Sequence, residues 1–215
     1  MQESKSCALP LGDGPMHNGN SIAYIRGNFK SVDGIYKELS VDKKNRNVTT
    51  GPILDGHKMK EEVSHMTHGE KAKAYFEQGY NCAQAVTLAF AEEMGLEEAA
   101  AATMASSFGG GLGRLREVCG CVSGMALAAG VLYGYSDPKA KEEKAEHYAL
   151  IQKLAGEFKE KSGSIICREL LEGINNDTNP IPEERTEVYY KKRPCAELAY
   201  LAAEILEKEI QRRQK

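Results

Sequence analysis

Thr67-His68-Gly69-Glu70-Lys71-Ala72-Lys73-Ala74-Tyr75-Phe76-Glu77-Gln78-Gly79-Tyr80-Asn81-Cys82-Ala83-Gln84-Ala85-Val86-Thr87-Leu88-Ala89-Phe90 is the stretch that decides the fold. Thr67 is placed to cap a helix, and Glu70, three residues on, completes a capping box. Ala72, Tyr75, Phe76, Gly79, Cys82, Ala83, Val86, Ala89 and Phe90 recur at three- and four-residue intervals. That spacing lines one face of a helix with apolar side chains. A single helix is therefore expected from Thr67 to a stop at Gly95, with Cys82 pointing into the core.

The same kind of pattern continues toward the C-terminus. An alanine-rich helix is expected from Glu97 or Glu98 to Ser106, and Gly109-Gly110-Gly111-Leu112-Gly113 ends it. The next helix opens at Glu117 or Val118 and runs through Ala129; its small residues suit a central, covered position. Lys139 to Lys161 reads as a surface helix whose inner stripe is Ala145, Tyr148, Ile151 or Leu154, Ala155 and Phe158. Ile165 to Leu171 reads as a short helical turn carrying Cys167, and Asn175 to Pro182 as a polar loop. The last helix starts near Glu183 or at Cys195, just after Pro194. It turns Leu198, Leu201, Ala202, Ile205 and Leu206 inward and ends in basic residues that suit the negative end of its dipole. The expected fold is all-α, a compact multi-helix bundle over residues 61–215.

Residues 1–60 read differently. Gly12, Gly14, Gly19, Gly27, Gly34, Gly51 and Gly56, with Pro10, Pro15 and Pro52, interrupt every short pattern. This segment is expected to be a poorly structured N-terminal extension. His65 and His68, near the first helix start, read as solvated surface residues rather than a metal pair.

Composition sets the outer limits. The chain has 215 residues, of which 41% are apolar and 27% charged, with a formal net charge of -3. This suits a globular protein with one core and implies no polyanionic partner. Basic residues are interspersed with acidic ones and no nucleic-acid module is present, so nucleic-acid binding is not expected. The longest apolar run, Val122 to Tyr133, is far short of the ~20 residues that span a membrane. No export signal opens the chain, and the expected location is cytoplasmic. A homo-oligomer is compatible with all of this.

The six cysteines, Cys7, Cys82, Cys119, Cys121, Cys167 and Cys195, carry the chemistry. Cys119 and Cys121 follow Arg114 and Arg116 at a predicted helix start, a setting that lowers thiol pKa values. The glycine loop beside them offers bare amides to a thiolate or an anion. Cys82, Cys119, Cys167 and Cys195 come from four different helical elements, and their convergence would form a soft-metal site.

Five segments together resemble a known family. They are Gly79-Tyr80-Asn81-Cys82-Ala83-Gln84-Ala85-Val86, Ser107-Phe108-Gly109-Gly110-Gly111-Leu112-Gly113-Arg114, Glu117-Val118-Cys119-Gly120-Cys121-Val122-Ser123-Gly124, Gly163-Ser164-Ile165-Ile166-Cys167-Arg168-Glu169-Leu170 and Arg193-Pro194-Cys195. Over roughly residues 68–206 the chain resembles the C_GCAxxG_C_C family, labelled as redox-active proteins. The resemblance implies that the family cysteines fall on Cys82, Cys119, Cys167 and Cys195, with Gly124 as the motif glycine and Cys121 where many relatives have alanine. A literal Gly-Cys reading uses Gly120-Cys121 instead and leaves the glycine one position too close. Both registers stay open.

Three functional readings follow. The first is thiol–disulfide exchange, with Cys119 or Cys121 as attacking thiolate and Cys82 or Cys167 as resolving thiol. Its partner would be a redox protein or a small thiol. The second is an electron-transfer protein that holds an iron–sulfur cluster or zinc on Cys82, Cys119, Cys167 and Cys195. The third is a helical interaction protein whose cysteines only pack. Whether the chain is an enzyme stays open between them.

Overall fold

The computed structural model describes residues 65–174 and 177–215. The expected N-terminal extension, with Cys7, lies outside the described residues. Among the described residues the regular structure is helical: α1 His68–Glu77, α2 Cys82–Ala89, α3 Glu98–Ala105, α4 Gly120–Tyr133, α5 Lys141–Ser162, α6 Cys167–Leu170, α7 Glu187–Lys192 and α8 Cys195–Arg213. A 3-10 turn, Ser106–Phe108, follows α3. Apart from these helices, Val118 and Ile166 form an isolated antiparallel bridge. The fold is all-α, as the periodicity implies.

The Thr67 capping box forms as expected. The single helix expected beyond it does not. The chain breaks between α1 and α2, because Gly79 sits at φ +107° and Asn81 starts a second capping box with Gln84. A left-handed φ costs glycine nothing and ends the first helix cleanly. The consequence is chemical: Cys82 becomes the first residue of a helix instead of a mid-helix packing residue.

α2 is the centre of the bundle. All its residues except Gln84 are buried, and it packs against α1, α3, α4 and α8. Close approach of α2 and α4 depends on Gly124, where a Cβ would stand 2.6 Å from the Ala83 carbonyl oxygen. Val86, Phe90, Met125, Leu154, Ile205 and Leu206 fill the space between these helices. Burying side chains of this size stabilises by about 1.5–3 kcal/mol each, which is what holds the short helices α2 and α3 in place.

α5 and α8 close the far side. The inner stripe of α5 is Leu150, Leu154 and Phe158. Ala145 and Tyr148, expected inside, are exposed; the buried apolar stripe begins at Leu150. Leu198, Ala202, Ile205 and Leu206 of α8 are buried as expected, and Leu201 is half-buried. His68 is also not a free surface group. Its ring stacks on Phe90 at 4.4 Å, with Nε2 2.6 Å from Glu93 Oε1 and Nδ1 3.1 Å from Glu207 Oε1. Among the described residues no helix is long and apolar enough to cross a membrane.

Candidate functional site

The site starts from the local rule that a helix leaves its first amides without partners. Asn81 caps α2: its Oδ1 accepts from Ala83 N and Gln84 N, both at 3.0 Å. Its Nδ2 donates to the Ser106 carbonyl at 3.0 Å, which ties the start of α2 to the end of α3. Cys82 follows the cap, at the positive end of the α2 dipole.

A second layer brings the other thiols up to it. Cys119 caps α4 and Cys121 lies in its first turn. The Val118–Ile166 bridge pins this segment to the next one: Cys119 N donates to Ile165 O at 2.8 Å, and Cys167 N donates to Glu117 O at 2.7 Å. Cys167 opens α6, and Cys195, behind Pro194, opens α8. Each of the five described cysteines thus stands at a helix start, and all five line one cavity of about 60 Å³. Three of these helices, α2, α4 and α8, have eight or more residues. Their N-termini add partial positive charge to one small space.

Gly120 makes the closest approach. A Cβ there would lie 2.6 Å from Cys82 Sγ and 2.9 Å from the Phe108 carbonyl oxygen. Only a bare Cα lets the start of α4 rest against the Cys82 sulfur.

The thiols respond to this setting in opposite directions. Cys82 is drawn down to about 6, first by a hydrogen bond from Cys121. Burial opposes the shift; the amides of Gly110 and of Cys82 itself and the Arg185 charge reinforce it. Cys121 is pushed well above its ordinary value by its hydrogen bonds with Cys119 and Cys82 and by burial, so it keeps its proton and donates. Burial pushes Cys167 up to about 11, and the charges of Cys119 and Cys82 add to this against Arg116. Cys195 is likewise raised by burial and by the charges of Cys82 and Cys119. At neutral pH the result is a Cys82 thiolate beside the protonated thiols of Cys121, Cys167 and Cys195.

The walls between the sulfurs are cationic and apolar. Arg116, Arg185 and Arg193 line the cavity, together with Phe76, Leu171 and Leu198. Arg116 and Arg193 are buried. Arg185 donates to the carbonyls of Phe76 and Tyr80 at 3.1 and 3.2 Å and lies over the Phe76 ring at 4.6 Å. Arg116 reaches the Asp177 carbonyl at 3.0 Å.

The structure therefore brings together Cys82, Cys119, Cys121, Cys167 and Cys195, every cysteine singled out in the predicted helical region. It changes the electrostatic account of them. Arg114, expected beside the thiols, turns away to the 177–183 loop, where it donates to the Asn179 carbonyl and lies 3.9 Å from Asp177 and Glu183 carboxylates. Cys82 is the thiol whose pKa is drawn down, and Cys121 is pushed up beside it. Arg185 was not visible as a site residue, because nothing in its local sequence marks it. Asn81 was visible in principle: Asn81-Cys82-Ala83-Gln84 has the spacing of a capping box. Because both Cys119 and Cys121 line the cavity, the two motif registers describe the same site. Among the described residues, no three His, Cys, Asp or Glu side chains are arranged around a single point to hold a metal ion.

Comparison with known proteins adds one match. Over residues 80–209 the chain matches the model of a family described as "Putative redox-active protein (C_GCAxxG_C_C)". The matched span opens two residues before Cys82 and includes every thiol of the cavity. No curated protein and no solved structure matches the chain.

Proposed function

The chain belongs to the C_GCAxxG_C_C family of redox-active proteins, and from that premise we propose that it works by two-electron dithiol–disulfide exchange between Cys82 and Cys121. The convergence of Cys82, at the start of α2, and Cys121, in the first turn of α4, on one cavity carries this reading, and the Cys121 thiol lowers the Cys82 pKa. Exchange runs through the thiolate, and a thiol with a pKa near 6 is about nine-tenths ionised at pH 7. Cys82 is therefore the attacking group. It displaces one sulfur of a bound disulfide as a thiolate and forms a mixed disulfide. Cys82 is then neutral, so its share in raising the Cys121 pKa is gone. Cys121 loses its proton, attacks Cys82 Sγ and expels the second thiolate. Two electrons leave the cysteine pair and one disulfide is reduced.

Burial defines the reactant. Cys82 is 8% exposed and Cys121 0%, so a protein disulfide cannot align with either sulfur unless the walls open. A small disulfide suits the cavity better. The test is mild oxidation of the whole protein followed by peptide mapping. The reading expects a Cys82–Cys121 disulfide, lost in Cys82→Ser, and a trapped mixed disulfide on Cys82 in Cys121→Ser. First modification at Cys167 or Cys195 would overturn it.

A second reading has its own observation. Cys82, Cys119, Cys167 and Cys195 reach one cavity from separate helix starts, and burial first, with repulsion between the sulfurs added, raises the pKa values of Cys167 and Cys195. Bound iron would relieve that repulsion and deprotonate the ligands. The sulfurs do not surround a single point, which speaks against mononuclear zinc. An iron–sulfur cluster spreads its thiolate ligands over several irons and is the form this reading takes. Such a cluster, held by Cys82, Cys119, Cys167 and Cys195, would supply one-electron transfer. Metal analysis after anaerobic purification separates the readings: bound iron with visible sulfur-to-iron absorption favours the cluster, and iron-free protein with five titratable cavity thiols rejects it.

A further inference from the structure

The cavity carries positive charge that no carboxylate of its own wall neutralises. Of its ionisable lining residues, three are arginines and five are cysteines, with Tyr189 between them; no Asp or Glu takes part. Arg193 is paired with the Glu183 carboxylate at 2.6 Å. Arg116 and Arg185 differ from it. They donate to backbone carbonyls, those of Asp177, Phe76 and Tyr80. A carbonyl satisfies a guanidinium donor without cancelling its charge. The helix starts of α2, α4 and α8 point the same sign of partial charge at the same space. The Cys82 thiolate offsets one of these charges and leaves a net positive interior. Enclosed apolar walls, here Phe76, Leu171 and Leu198, focus such a field.

Resting on the dithiol reading, we infer that the reactant of the Cys82–Cys121 couple is a small anion carrying a sulfur–sulfur bond. Exchange requires the sulfur–sulfur bond, the burial of Cys82 and Cys121 limits the size, and Arg116 and Arg185 select the charge. For the disulfide of mercaptoacetate the step balances as follows. Cys82 Sγ bonds to one sulfur, and the other leaves as mercaptoacetate. Cys121 gives its proton to solvent, bonds to Cys82 Sγ and expels the second mercaptoacetate. The cysteines are oxidised by two electrons, and the small disulfide is reduced by two.

The test compares three disulfides of one size on the reduced full-length chain: that of mercaptoacetate (anionic), that of mercaptoethanol (neutral) and cystamine (cationic). Each rate is divided by the rate of the same disulfide with free mercaptoethanol at the same pH, which removes intrinsic reactivity. The anion is expected to lead the cation by at least about tenfold at low salt, with the lead shrinking as salt screens the field. Arg185→Met should reduce the lead. Because Arg185 also ties Phe76 to Tyr80, the salt series of the unaltered protein repeats the test where that variant misfolds. Equal normalised rates, or cystamine fastest, overturn the inference while leaving the dithiol reading standing. If no disulfide yields a Cys82–Cys121 bond, the dithiol reading itself has failed, and the inference with it.

Discussion

Replacing Gly120 by alanine tests the tightest contact of the site. The new Cβ would stand 2.6 Å from Cys82 Sγ and 2.9 Å from the Phe108 carbonyl oxygen. Ordinary non-bonded contact is about 3.5–4.0 Å, so roughly 1 Å of movement is needed. Phe108 O is backbone, held in place by the Leu112 amide at 3.3 Å, so the Cys82 side chain has to give. Overpacking of this kind costs about 1–3 kcal/mol. A moved sulfur also loses its hydrogen bonds from Cys121 and Gly110, and its pKa should climb from about 6 toward the ordinary 9.0. The sign of the linked effect is that of an acid with a depressed folded pKa. Its stabilisation is full above the unfolded value and disappears as pH falls through the folded one. At pH 7 that contribution is on the order of 1 kcal/mol, so the variant should lose about 2–4 kcal/mol in all. Urea unfolding at pH 7 measures the loss, and thiolate absorbance against pH measures the titration. An unchanged midpoint together with an unchanged Cys82 titration would refute the contact and the role given to Gly120.

Three further outcomes are expected. Asn81→Ala removes the cap of α2 and the link to Ser106; it should cost about 1–2 kcal/mol in urea unfolding and slow Cys82 alkylation at pH 7. Cys121→Ser should raise the pH at which Cys82 is alkylated at half its maximal rate, because the main donor to its thiolate is replaced. Burial alone would lower the His68 pKa, but hydrogen bonds and charge from Glu93 and Glu207 outweigh it and raise it. His68 therefore stabilises fully below its unfolded value, near 6.5, and that stability is lost as pH rises through the folded value. His68→Gln should flatten this fall in midpoint between neutral and mildly alkaline pH, with a loss of about 1–3 kcal/mol at low pH.

The sequence showed the helices wherever packing followed a single face. The run from Leu198 to Leu206 keeps its spacing because α8 buries one face, with Leu198, Ala202, Ile205 and Leu206 on it. It failed at Gly79. The apolar spacing runs on through the break, since both α1 and α2 turn apolar residues to the same core, and the capping pair Asn81 and Gln84 was outweighed by that continuity. The cysteines were legible as residue types but not as a cluster. Their separations of tens of residues contain no local geometry; only the packing of α2, α4 and α8 brings their starts together. Arg185 was illegible for the same reason. It contributes from a segment between helices, and its partners Phe76 and Tyr80 lie more than a hundred residues away.

Strain at the glycine loop also bears on function. Gly110, Gly111 and Gly113 alternate with Leu112 and Arg114 at φ between +55° and +73°, and Arg116 follows at φ +62°. For leucine and arginine this conformation costs roughly 1–2 kcal/mol per residue. A loop that only joined two helices would not hold three such residues. Here the conformation has two products at the site: the Gly110 amide points at Cys82, and the Arg116 guanidinium enters the cavity. The loop is fixed from both ends, by Glu117 N on Gly111 O at 3.1 Å and by Arg168 N on Arg116 O at 3.1 Å. Gly111 cannot carry a side chain in that frame, since a Cβ would stand 2.8 Å from the Cys167 Cβ. Residues held in sparsely populated conformations persist where the surroundings over-determine them, and they gather where chemistry is done. The local strain is offset by the bundle core, and it is used to aim one amide and one guanidinium at a sulfur.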